Sequence, residues 1–176
     1  LSLSGEGLLG PMPIVARYDQ RFNATVKGQA TVRGSARISD AWLRDLGISL
    51  PQGWLGGETG ADITLDLAKG KPARLHLESD LAGATLSVAP LSWSKCGKTR
   101  GKLALDAVLG AAPEVTALSL TAPGLAAQGR ITTKAGGGLD LASFASLKVG
   151  NWLDAPADIR GTGKAGITVA LNGGTL

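Results

Sequence analysis

The stretch from residue 24 to residue 38 alternates without a break between apolar or small residues and polar residues. Val26, Val32 and Ile38 belong to the first set, whereas Lys27 and Arg33 belong to the second. A period of two is the signature of a strand with one buried face and one solvated face. At about 3.3 Å per residue the run would span about 50 Å, well beyond a typical strand of about 5–6 residues. The pattern therefore predicts a sheet that is long in the strand direction, or a run that folds back once.

The period changes directly after this run. Ser39 is a suitable N-cap, Asp40 would lie in the first turn, and Gly47 would end the segment. These signals predict one short helix near residues 40–46. The helix would turn its apolar side chains inward: Trp42, Leu43 and Leu46.

Alternation then resumes along the rest of the chain. Residues 62–67 and 74–78 read as two strands joined by a turn at 69–72, which is a hairpin. Further alternating runs lie at 86–88, 103–109, 118–120, 125–131 and 167–171. Residues 139–149 fit either a helix or strands, and no βαβ rhythm is visible. The predicted class is mainly β, a long antiparallel and curled, groove-like sheet with one short helix; a closed β-sandwich is the alternative.

Composition supports a thin sheet with many turns. The chain contains 26 glycines and only 4% aromatic residues, so its core must consist of Leu, Val, Ile and Ala. Only 18% of residues are charged and the mean hydropathy is positive, which excludes the disordered class. No change in composition divides residues 1–176, so we expect a single β-rich segment, and both ends look cut from a larger extracytoplasmic protein.

Residues with catalytic or metal-binding chemistry are few. The chain contains one histidine, His76, and one cysteine, Cys96. It has no G-x-S-x-G motif, which would supply a serine nucleophile for His76 to activate. Asp62 and Asp66 would lie about 13 Å apart on one strand, too far for one ion. A carbohydrate-acting enzyme using Asp62, Asp66 and Glu78 stays a minor alternative. We expect no enzyme activity, no cofactor and no metal.

Three short motifs have a structural explanation. Residues 161–166 match G-x-G-x-x-G, but a strand pattern follows them where a dinucleotide site needs a helix, so we predict a hairpin turn. Residues 97–102 do not match a phosphate-binding P-loop, because their two glycines are one residue too close together. The basic residues between Lys95 and Lys102, near Trp93, favour a solvated turn; contact with phosphate head groups is the alternative. Nucleic acid is not expected, because interleaved aromatic residues are missing.

Three segments resemble a known family. Residues 79–83 read S-D-L-A-G between alternating runs, and residues 90–95 read P-L-S-W-S-K before the strand at 101–105. A later segment, 122–131, contains G-L-A-A-Q-G-R-I. This order resembles the AsmA-like proteins, especially their YhdP-type branch, and the similarity extends over residues 24–171.

The resemblance implies a location and a function. Such proteins are large, anchored in the inner membrane of Gram-negative bacteria, and cross the periplasm. They are thought to carry phospholipids to the outer membrane along a groove in a curled β-sheet, without catalytic residues. This chain would then be a periplasmic segment whose partner is phospholipid, with other envelope proteins as further partners.

A lipid groove needs an apolar face that acyl chains cover, and each methylene moved from water onto it gains about 0.8 kcal/mol. Residues expected to line this groove are Val26, Val32, Ile38, Ile63, Leu65, Leu67, Leu75, Leu77, Leu103 and Leu105. The same alternation also builds a sandwich whose sheets cover each other. The alternative function is therefore a structural or adhesive extracytoplasmic domain without a lipid groove.

Overall fold

The computed structural model describes residues 2–9, 12–20, 29–45, 50–135, 138–161 and 167–173. The described chain is mainly β, with one α-helix, α1 (Asp40–Asp45), and one 3-10 turn (Ala89–Leu91). The strands are β1 (Ser2–Leu9), β2 (Met12–Gln20), β3 (Gln29–Ile38), β4 (Leu55–Gly56), β5 (Thr59–Ala68), β6 (Arg74–Ser79), β7 (Thr85–Val88), β8 (Trp93–Lys95), β9 (Lys102–Val108), β10 (Glu114–Ala122), β11 (Leu125–Thr133), β12 (Leu139–Val149), β13 (Leu153–Gly161) and β14 (Ile167–Leu171).

Eleven of these strands form one open sheet in the order β1-β2-β3-β5-β6-β9-β10-β11-β12-β13-β14. Every neighbouring pair in it is antiparallel. The remaining strands form a small sheet in the order β4-β7-β8. The predicted class, a mainly β chain with a long antiparallel sheet and one short helix, is confirmed. The second sheet is far smaller than the first, so the described strands do not form the alternative β-sandwich.

The helix and the first hairpin form where the sequence predicts them. Ser39 Oγ accepts a hydrogen bond from the backbone N–H of Trp42 at 3.3 Å, as an N-cap does. Trp42 is buried, whereas Leu46 lies outside the described residues. Strands β5 and β6 pair around the predicted turn, with Leu65 opposite Leu75.

Other segments differ from the sequence prediction or complete it. The ambiguous segment 139–149 is strand β12, and a register shift between Phe144 and Leu147 explains its mixed periodicity. Strands β1, β2, β4, β8 and β13 were not predicted. The G-x-G-x-x-G segment joins β13 to β14, which pair antiparallel as a hairpin requires, although residues 162–166 lie outside the described residues. Of the long run at 24–38, strand β3 accounts for residues 29–38.

Two hydrophobic clusters lie on the same face of the large sheet. The first packs Trp42 of α1 against β3, β5, β6 and β9. The second packs Leu91 and Trp93, from the 3-10 turn and β8, against β11, β12 and β13. Helix α1 and the small sheet therefore cover separate parts of this face.

Candidate functional site

One face of the large sheet is apolar from β3 to β14. Cross-strand pairing aligns its side chains in rows, and neighbouring strands lie about 4.8 Å apart, so each row is a continuous apolar surface. One row contains Val32, Leu65, Leu75, Ala107, Val115, Ile131, Ala142, Ile159 and Val169. The next contains Gly34, Ile63, Leu77, Leu105, Leu118, Gly129, Phe144, Ala157 and Leu171.

The structure places the predicted groove residues on this face, except Val26, which lies outside the described residues. Their accessibility differs. Five are buried: Ile38, Ile63, Leu65, Leu75 and Leu77. Three are half-buried: Val32, Leu103 and Leu105. Leu67 is 37% exposed. The buried residues are therefore packed core, and only the others present surface to a ligand.

Half-buried apolar residues continue from β9 into β10, β11 and β12. We call these residues the central strip: Leu103, Leu105, Leu118, Leu120, Ile131 and Phe144. They flank both hydrophobic clusters without belonging to the buried core of either. Sequence reasoning missed the last four of them. Alternation marks which side of a strand is apolar, but it does not tell which part of a sheet face α1 and the small sheet leave uncovered.

Lys95 lies inside the protein and not in a solvated basic cluster, so that prediction is wrong for this residue. Its side chain is 3% exposed. The ammonium Nζ donates to the backbone carbonyl oxygens of Leu81 at 2.7 Å, Ala84 at 2.8 Å and Cys96 at 3.2 Å. Three carbonyls match the three donors of an ammonium group. The lysine therefore holds the loop after β6 against the end of β8.

This contact joins the S-D-L-A-G segment at 79–83 to the P-L-S-W-S-K segment at 90–95. Leu81 belongs to the S-D-L-A-G segment and Lys95 ends the P-L-S-W-S-K segment. Leu81 and Gly83 have positive φ angles of 54° and 89°, which turn the loop around the lysine. A Cβ on Gly97 would lie 2.9 Å from the carbonyl oxygen of Gly83. The spacing of both segments thus has a structural reason.

The opposite face of the sheet is polar and exposed. Nδ1 of His76 lies 2.7 Å from Oδ1 of Asp106 on β9, and this hydrogen bond raises the pKa of His76 above its ordinary value of 6.5. Asp62 pairs in register with Glu78, whereas the carboxylate of Asp66 accepts a hydrogen bond from Thr31 at 2.7 Å. The three carboxylates considered for a carbohydrate-acting enzyme therefore do not share one set of contacts.

A shallow depression of about 670 Å³ also lies on the polar side. Its lining includes Asp106, Thr116, Gln128, Arg130 and Ser143. Register shifts in β10, β11 and β12 lie beneath it, and such bulges bend a strand locally. Leu118, Ala104 and Ala145 also line it, so the depression combines polar and apolar residues.

The described ranges lack two features, a metal-binding cluster and a membrane-spanning helix. No three His, Cys, Asp or Glu side chains there are grouped to hold a metal ion. No helix among the same residues is long and apolar enough to cross a membrane. Comparison with protein-family models, curated proteins and solved structures gives no match.

Proposed function

We propose that this chain is a non-catalytic segment of a periplasmic, bridge-like protein and that its apolar sheet face binds phospholipid acyl chains and conducts them between the inner and outer membranes. The observation that supports this most is the central strip. Its six apolar side chains are adjacent across four strands and remain half-buried between two covered clusters. Apolar surface of this kind calls for an apolar occupant.

The geometry of the strip suits a hydrocarbon chain. Leu105 pairs with Leu118, and Leu103 pairs with Leu120, so β9 and β10 present a double row. Three strand spacings separate β9 from β12, about 14 Å. A chain lying across the strands would contact apolar side chains over this distance, and each methylene removed from water contributes about 0.8 kcal/mol.

The resemblance to AsmA-like proteins also supports the proposal. In AsmA-like proteins a curled sheet is thought to form the lipid path, and here the apolar rows run across the strands from β3 to β14. The covers formed by α1 and the small sheet leave the strip accessible between them. A lipid moving across the strands from β9 to β12 would therefore meet the apolar side chains of the central strip.

The experiment compares two glutamates on adjacent residues of β10. Leu118→Glu places a charge in the central strip, whereas Ser119→Glu places it on the exposed polar face. Native mass spectrometry and lipid extraction measure the phospholipid that copurifies with each variant. We expect phospholipid with the unsubstituted chain and with Ser119→Glu, and at least a tenfold loss with Leu118→Glu.

Circular dichroism and urea unfolding check that both variants remain folded. Equal phospholipid in both folded variants contradicts binding at the strip. A lipid-free unsubstituted chain that also fails to take up phospholipid from vesicles supports the alternative function, a structural or adhesive domain. Leu103→Glu with the control Lys102→Glu, at an exposed position, repeats the comparison on β9, in case Leu118→Glu does not fold.

A further inference from the structure

The covers of the apolar face lie at one end of the strands. Helix α1 directly follows the end of β3, and Lys95 fastens the small sheet to the loop that follows the end of β6. Strands β3 and β6 both finish at this end, which we call the covered end. At the opposite end, which we call the open end, the described residues form turns between β5 and β6, between β9 and β10, and between β11 and β12.

Apolar side chains reach the open end and remain accessible there. Leu67, next to the last residue of β5, is 37% exposed, and Leu109, which directly follows β9, is half-buried. Ile131 of the central strip lies three residues before Lys134, about 10 Å along the chain. An occupant of the central strip can therefore extend to solvent at the open end.

The turns at the open end carry lysines. Lys69 and Lys71 lie in the turn between β5 and β6, and Lys134 directly follows β11; all three side chains are exposed. We call these three residues the lysine rim. The Nζ of Lys134 donates to the backbone carbonyl of Gly161 at 3.0 Å, which uses one of the three donors of an ammonium group. The rim therefore brings positive charge and hydrogen-bond donors to the boundary between the apolar face and solvent.

Acidic residues are absent from these turns. Residues 69–73, 109–113 and 134–138 contain neither Asp nor Glu. The nearest acids along the chain, Glu114 and Asp140, both neighbour Thr132 of β11: Glu114 pairs with it in register, and Asp140 accepts a hydrogen bond from its hydroxyl at 3.4 Å. The turns of the open end thus have a net positive charge.

The covered end differs in its charges. Arg44 pairs with Asp40 at 2.9 Å and Arg100 pairs with Asp80 at 3.6 Å, so acids accompany the basic residues there. Lys102 lies at the start of β9, on the polar face, because it alternates with Leu103 of the central strip. The basic segment near Trp93 is therefore a poorer site for a phosphate head group than the lysine rim.

We propose that the lysine rim binds the phosphate of the phospholipid head group, so that a bound lipid has one direction, with its acyl chains on the central strip and its head group at the open end. The inference rests on the proposed lipid function and adds the head-group site to it. Ammonium groups and phosphate oxygens form charge-assisted hydrogen bonds. Lysine also suits such a boundary, because its aliphatic stem covers apolar surface while its charge stays in water.

The test compares two lipids with identical acyl chains, phosphatidylglycerol and diacylglycerol, which lacks the phosphate. Each is offered to chain 1–176 in micelles of a non-ionic detergent, and native mass spectrometry measures the bound lipid over a range of lipid concentrations. One variant carries Lys69→Gln, Lys71→Gln and Lys134→Gln. The matched control loses the same charge at exposed lysines of the covered end, through Lys98→Gln, Lys102→Gln and Lys148→Gln.

We expect the rim variant to bind phosphatidylglycerol at least about tenfold more weakly than the unsubstituted chain, since each lysine near an anionic head group contributes to binding. Its binding of diacylglycerol should change less than about twofold, because the central strip is intact. The control variant should bind both lipids as the unsubstituted chain does. Circular dichroism and urea unfolding check that both variants are folded.

NMR with spin-labelled lipids gives the direction of the bound lipid independently. A label on the head group should broaden the backbone amide signals of Lys71 and Lys134, and a label on the acyl chain should broaden those of Leu105 and Leu118. Inorganic phosphate alone should leave the amide signals of the rim unchanged at the lipid concentrations used, because it gains nothing from the central strip.

The outcomes separate the inference from the proposed function. A chain that binds neither lipid overturns both. Binding of both lipids with equal affinity in the rim variant and the control variant overturns the lysine rim alone. A head-group label that broadens Lys98 and Lys102 in place of the rim, or inorganic phosphate that binds the rim as tightly as the lipid does, would also overturn it.

Discussion

The ammonium group of Lys95 lies 2.7 Å from the carbonyl oxygen of Leu81, in the interior of the protein. Leu81 follows the end of β6 in the large sheet, and Lys95 ends β8 in the small sheet. One side chain thus fastens the small sheet to the end of the large one. Leu91 and Trp93, which closely precede Lys95 in the chain, pack in the second hydrophobic cluster against β11, β12 and β13.

Replacing Lys95 by Met keeps an unbranched apolar side chain and removes the ammonium group with its three donors. The carbonyls of Leu81 and Ala84 would then be buried without their partner, and each such group costs about 1–3 kcal/mol. We expect the free energy of unfolding to fall by about 3 kcal/mol in urea titrations. Lys102→Met, at an exposed position, should change it by less than about 0.5 kcal/mol. Equal stabilities of the two variants would contradict the role of Lys95.

Gly83 is required for the close approach of two backbones. Its φ is 89°, and a Cβ there would collide with the carbonyl oxygen of Glu58. Gly83→Ala should therefore reduce the free energy of unfolding by about 2 kcal/mol or more. Gly110→Ala is the matched control, because a Cβ at Gly110 meets nothing within 4 Å. A Gly83→Ala variant as stable as Gly110→Ala would show that the loop rearranges without cost.

Replacing Trp42 tests how much helix α1 contributes to the stability of the first hydrophobic cluster. It is 1% exposed and packs on the apolar face, whereas Trp152 is 48% exposed in the turn between β12 and β13. Removing a buried tryptophan typically costs about 3–5 kcal/mol. We expect Trp42→Ala to destabilise the chain by that amount and Trp152→Ala to have little effect, as measured by urea unfolding. A similar loss of unfolding free energy in both variants would mean that α1 does not stably cover the apolar face of the sheet.

Alternation was sufficient to predict much of the sheet. The hairpin of β5 and β6 and the apolar side of β9 follow from a period of two, since strand side chains point to alternate faces. Ser39 and Gly47 bracket a period change, which located α1. Strand β13 also alternates, with Leu153, Ala155, Ala157 and Ile159 on its buried side, but Pro156 within the run is unfavourable in a strand. These predictions succeed where local pattern decides the structure.

The site depends on contacts that are distant along the chain. Nothing local to Lys95 indicates that carbonyls of the 81–84 loop would surround it, so a charged residue in a basic cluster was expected to be solvated. Likewise, Leu77 and Leu105 occupy equivalent positions on neighbouring strands, yet one is buried and the other half-buried. The difference arises from where the covers lie, which only the three-dimensional arrangement determines.

The His76–Asp106 pair predicts a dependence of stability on pH. Because the pKa of His76 is raised in the folded protein, mainly by its hydrogen bond to Asp106, the protonated histidine favours folding. This stabilisation is complete below pH 6.5 and is lost as the pH rises through the higher folded pKa. The side chain is 48% exposed, so solvent screening keeps the effect within about 1 kcal/mol.

Urea unfolding of the unsubstituted chain between about pH 5 and 8 should show this loss of stability. His76→Gln and Asp106→Asn should both reduce the dependence of the free energy of unfolding on pH. NMR titration of the His76 ring gives the pKa directly, and a value at or below 6.5 would contradict the pair.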